Sequence, residues 1–76
     1  MSSEQLKMSI LNYMYHKTGK LIPKDTVIRP TEEFLVPYLT FLYQRDEEDF
    51  NDIVKNHLPT FAKTETILKI LPKVIT

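Results

Sequence analysis

The chain has 76 residues, with 10 basic and 10 acidic side chains, 42% hydrophobic residues, a single glycine and no cysteine. That length allows one domain with a modest core, and the missing thiols exclude disulfides and thiolate metal sites. A formal charge of zero argues against general binding to phosphate backbones, and no apolar run approaches the roughly 20 residues that span a bilayer.

The opening MSSEQLKMSI lacks the apolar run of a secretory leader, so an intracellular, cytoplasmic protein is expected. Ser2 or Ser3 opens a first helix, and Ser2 with Gln5 fits a capping box. Leu6, Ile10, Tyr13 and Met14 give it an apolar face, widened by Met8, Leu11 and Tyr15. Gly19 stands where a left-handed cap would end it, so the helix is placed over residues 3–18. Lys20–Pro30 then reads as an extended connection with a turn at Pro23-Lys24-Asp25. Leu21, Ile22, Val27 and Ile28 are expected to dock on the helices. Val27–Ile28 has strand character, but no second strand is available to pair with it.

Thr31–Leu58 holds five of the eight aromatic residues and seven of the ten acidic ones. Proline is accepted in a first helical turn and pushes the preceding residue away from helix, so a helix is placed over residues 37–45. The alternative is one helix capped by Thr31, with Glu32 and Glu33 at its positive end and a bend at Pro37. Tyr38, Leu39, Phe41, Leu42 and Tyr43 make this helix apolar nearly all round. Such a helix must be covered on several sides, as the centre of the fold or as half of a dimer interface. Asp46 interrupts the stripe and offers an N-cap oxygen, with Glu47, Glu48 and Asp49 behind it. A break there and a further helix over 46–58 are therefore expected, one long bent helix being the alternative.

Pro59–Lys63 links to a final helix with Thr64 as N-cap and Glu65 in its first turn. Ile67, Leu68, Ile70, Leu71, Val74 and Ile75 follow helical spacing, but Pro72 interrupts them, so the helix is predicted over 64–71. Val74–Ile75 is then a tail that docks on the core or reaches a partner. Charge is uneven: residues 1–30 carry five basic and two acidic groups, 31–58 two and seven, 59–76 three and one. The segments can attract one another within the fold or between chains.

No reactive constellation stands out. The acidic run Asp46, Glu47, Glu48, Asp49, Asp52 lacks the alternation, glycine and terminal glutamate of a calcium loop and reads as a helix start. His16 and His57 have no ligand or catalytic spacing around them, and one glycine cannot build a phosphate cradle. Neither an enzyme nor a cofactor or metal is expected. The basic residues Lys17, Lys20, Lys24 and Arg29 are a candidate for phosphate contact, although the aromatics are interleaved with apolar rather than basic neighbours.

The order of a long helix, a loop with Asp25-Thr26-Val27-Ile28, a second helix, a short third and a final one resembles acyl carrier proteins in layout. In that family a serine in an Asp-Ser-Leu motif opens the second helix and carries phosphopantetheine; here the place reads Pro30-Thr31-Glu32. The resemblance covers layout and no motif, so it implies at most a degenerate carrier-like domain. A continuous helix over Thr31–Leu58 would also resemble the short–long–short order of histone folds, which Pro37 opposes.

The expected fold is an all-α bundle of three to four helices in a single domain over 1–76. The leading functional expectation is a non-enzymatic protein–protein interaction module (an adaptor, assembly subunit or stoichiometric inhibitor) that self-associates or binds a protein partner through Tyr38, Phe41, Leu42, Tyr43, Val74 and Ile75. The alternatives are a nucleic-acid-binding helical module using Lys17–Arg29 and the degenerate carrier.

Overall fold

The computed structural model describes residues 2–75, with side chains from residue 4 onwards. It is all-α: α1 (Ser2–Thr18), α2 (Glu32–Arg45), α3 (Glu47–Asp52) and α4 (Thr64–Ile75), with a π-helical turn (Ile53–His57) and a 3₁₀ turn (Leu58–Thr60) between α3 and α4. No strand occurs among the described residues. The radius of gyration is 11.6 Å, close to the roughly 11.4 Å of a compact chain of this length.

Helix α1 buries Leu6, Ile10 and Tyr13. It ends as expected at Gly19, whose φ of +74° is natural only to glycine. The Gly19 N–H donates to the Tyr15 carbonyl at 2.7 Å, closing the last turn. The expected Ser2–Gln5 capping pair lies outside the described side chains. In the connection, the Thr26 N–H donates to the Pro23 carbonyl at 3.1 Å, the turn read from Pro23-Lys24-Asp25. Not all four aliphatics dock. Ile22 and Ile28 are half-buried, but Leu21 and Val27 are 88% and 83% exposed. Extended backbone sends successive side chains to opposite sides, so a segment lying on a surface can bury only every second one.

The start of α2 corrects the boundary at residue 37. The Thr31 hydroxyl accepts from the Phe34 N–H, with Glu32 and Glu33 in the first turn, so the helix begins a full turn before Pro37. Proline is accepted inside it because Pro37 and Glu33, whose carbonyl loses its partner, are both exposed. Water can satisfy that carbonyl. Pro37→Ala is expected to stabilise the fold by about 1–2 kcal/mol and raise Tm by roughly 5–10 °C. Thermal circular dichroism checks it, and a lowered Tm would show that the ring contributes packing.

The break at Asp46 is where the sequence placed it. The Asp46 N–H donates to the Leu42 carbonyl at 2.9 Å, ending α2. Its Oδ1 accepts from the Glu48 and Asp49 N–H groups at 3.1 and 3.2 Å, starting α3. The expected helix over 46–58 is α-helical only to Asp52. The chain then widens into the π turn, in which the Leu58 N–H reaches back to the Ile53 carbonyl. Ile53, His57 and Leu58 all turn inward there.

Helix α4 corrects two further expectations. The Ile67 N–H donates to the Lys63 carbonyl, which makes Lys63 the half-in residue and Thr64 the first helical one. The helix also runs through Pro72 to Ile75 instead of ending at Leu71. Pro72 and Leu68, whose carbonyl loses its partner, face water, while Ile67, Ile70 and Val74 dock on the core and offset the missing bond.

Helix α2 packs against α1, α3 and α4 and is the centre of the fold. Leu35, Tyr38 and Leu39 are fully enclosed. The uneven charge has one visible consequence: Glu32 of the acidic middle segment pairs with Lys73 and, at 3.7 Å, Lys69 of the basic end. The Lys73 contact holds the Glu32 carboxyl below its ordinary pKa.

Candidate functional site

The six residues expected to form an interaction face separate into three groups. Tyr38, Leu42 and Val74 belong to the core, at 0%, 4% and 7% exposure, and are corrected as surface residues. Phe41 and Tyr43 are half-buried against it, and Ile75 is 49% exposed. The physical reason is that α1 and α4 cover α2 from different sides.

The aromatic residues of α1 and α2 form one cluster. Tyr13 meets Phe34, Tyr38 and Phe41 at ring-centroid distances of 5.9, 5.5 and 5.3 Å. Phe34 stacks on Tyr38 at 5.7 Å. Each such pair adds about 0.5–1.5 kcal/mol beyond its buried area, so these rings hold α1 to α2 rather than offering platforms to a ligand. The Tyr38 hydroxyl donates to the Ser9 hydroxyl at 2.8 Å. Burial, opposed by the Ser9 hydroxyl and reinforced by the Asp49 charge, pushes its pKa up to about 12.

Outside the core lies an apolar surface that the residue pattern alone did not single out. On α4, Ile67, Ile70 and Val74 point inward, while Leu68, Leu71 and Ile75 repeat the same spacing one residue later. Leu68 is 66% exposed, Ile75 is 49% exposed and Leu71 is half-buried. One residue is about 100° of helical rotation, so the second stripe stands beside the buried one. On α1 the same spacing recurs in Met8, Leu11 and Tyr15, with Met8 51% and Tyr15 46% exposed. The available signal was the width of the pattern: α4 carries six apolar residues at helical spacing, twice what one packed face needs.

His57 is buried. Its Nε2 lies 3.3 Å from Asp52 Oδ2, and Asn56 donates to Asp52 Oδ1 at 2.7 Å, while Nδ1 has no partner among the described residues. No serine or cysteine hydroxyl or thiol completes this pair among the described contacts. His16 is exposed, 3.1 Å from an Arg45 guanidinium nitrogen. In the acidic run, Asp46 is occupied as a cap, and no group of three or more potential metal ligands converges among the described residues. Lys17, Lys20, Lys24 and Arg29 are exposed, with Lys17 drawn over the Tyr13 ring at 5.8 Å. No helix of the described residues is long and apolar enough to cross a membrane.

No protein-family model, curated protein or solved structure matches this chain.

Proposed function

We propose that this protein is a small non-enzymatic protein–protein interaction module that engages a second helix, from its own copy or a partner, along Leu68, Leu71 and Ile75 of α4. The carrying observation is that α4 repeats its core-facing spacing on an adjacent stripe of which Leu68 and Ile75 stay exposed among the described residues. Apolar residues at such spacing are how an amphipathic helix is recognised, and a contiguous exposed apolar strip on so small a domain is a cost in water unless a partner removes it. Of the residues expected on an interaction face, Ile75 belongs to this stripe, whereas Tyr38, Leu42 and Val74 lie in the core.

The stripe is tested by Leu68→Asp, a change at a position exposed enough to leave the fold intact. The parent protein is expected to sediment above monomer mass at high concentration, or to retain a specific protein in an affinity capture, and Leu68→Asp to do neither. The proposal is removed if the parent stays monomeric and both proteins capture the same set. Circular dichroism of Leu68→Asp confirms that loss of association is not loss of fold.

A further inference from the structure

A half-open cleft of about 230 Å³ lies between α1, the connection and the 3₁₀ turn. Its floor is apolar: Leu6 and Ile10 from α1, Ile28 from the connection and Phe61 after the turn. Its polar groups are Lys7 and the hydroxyls of Thr26 and Thr60. Lys7 is half-buried, and no carboxylate among the described residues is within ion-pair distance of it. The Thr60 hydroxyl donates to the His57 carbonyl at 2.7 Å.

We propose that this cleft binds a small monocarboxylate with an aliphatic chain, the chain lying on Leu6, Ile10, Ile28 and Phe61 and the carboxylate at Lys7. Two observations select that chemistry. The first is size. A dry apolar cavity of about 150 Å³ accepts a benzene-sized group, whereas drug-sized ligands occupy roughly 300–1,000 Å³. A body of six to eight carbons falls between these limits. The second is charge. Every described lysine–carboxylate pair in the chain is made at Glu32, so Lys7 lines the cleft without a counter-charge among the described residues. An anionic head group is attracted to that ammonium, and a cationic one is repelled. The Thr26 hydroxyl adds a donor that has no partner among the described hydrogen bonds.

The site is separate from the α4 stripe, so either proposal can fail without the other. The test is a titration of the whole protein followed by amide and methyl NMR shifts, with octanoate, octanol and octylammonium as probes below their micelle concentrations. Octanoate is expected to give saturable shifts at Leu6, Ile10, Ile28 and Phe61, and octylammonium none. Lys7→Gln is expected to weaken octanoate by about two- to fivefold, the size of a partly exposed ion pair, and to leave octanol unchanged. Ile28→Phe, which fills the cleft, is expected to abolish binding of both while the remaining spectrum keeps its dispersion. The proposal is overturned if octanoate shows no saturation, if octylammonium binds equally well, if Lys7→Gln has no effect, or if the shifts fall on Leu68 and Ile75 instead.

Discussion

Replacing Tyr38 by alanine is expected to remove about 3–5 kcal/mol of stability, a large share of the roughly 4–11 kcal/mol that a domain of this length possesses. The ring is fully enclosed, packs against Phe34 and Tyr13 at 5.7 and 5.5 Å, and closes the α1–α2 contact through Ser9. No neighbour can fill the space, because Leu35 and Leu39 on the same helix are themselves at 0% exposure and already packed. At about 5 °C per kcal/mol, Tm falls by roughly 15–25 °C. Tyr15→Ala is the control: its ring is 46% exposed, so the change should stay within about 0.5 kcal/mol. Urea denaturation of the two variants decides the matter. Similar losses in both would mean that Tyr38 is not the keystone its burial indicates.

The second large effect is alkaline. A tyrosine ionises near pH 10 in the unfolded chain, whereas burial holds Tyr38 up to about 12 in the folded one. The sign follows directly. Below pH 10 both states are protonated and the fold keeps its full stability. From pH 10 to 12 only the unfolded state releases the proton, so stability falls, by roughly 3 kcal/mol once both values are passed. Tyr38→Phe removes this loss while also removing the Ser9 hydrogen bond, which is worth about 0.5–1.5 kcal/mol at neutral pH. Tyr38→Phe is therefore expected to be the less stable protein at pH 8 and the more stable one at pH 12, the two curves crossing near pH 11. Ionisations common to both proteins cancel in the comparison. Parallel curves across that range would show that the Tyr38 phenol reaches solvent when folded.

Much of the architecture was legible because it depends on local chemistry. Gly19 ends α1 since only glycine takes that φ without strain, and Asp46 separates α2 from α3 because its carboxylate outcompetes the helix for two N–H groups. The prolines were misread for a common reason. The cost of Pro37 and Pro72 depends on whether the carbonyl each one orphans meets water, and exposure is a property of the assembled fold. The π turn was invisible for a similar reason, since its widening serves to bring Ile53, His57 and Leu58 inward together. The exposed apolar surface was legible in amount but not in place. Apolar excess can be counted from composition, yet Tyr38 and Val74 compete for the interior with Leu68 and Met8, and only packing determines which are left outside.

Order along the chain thus determined that the fold is helical, where α1 ends at Gly19 and where the central stretch breaks at Asp46, because periodicity and hydrogen-bonding capacity act over a few residues. Tertiary structure alone decided which of two apolar stripes on α4 is buried, that Leu21 and Val27 face water, and that Lys7 overlooks a cleft without a carboxylate. Those outcomes rest on contacts between residues distant in sequence, where the limited surface of one helix must choose among several candidates to cover.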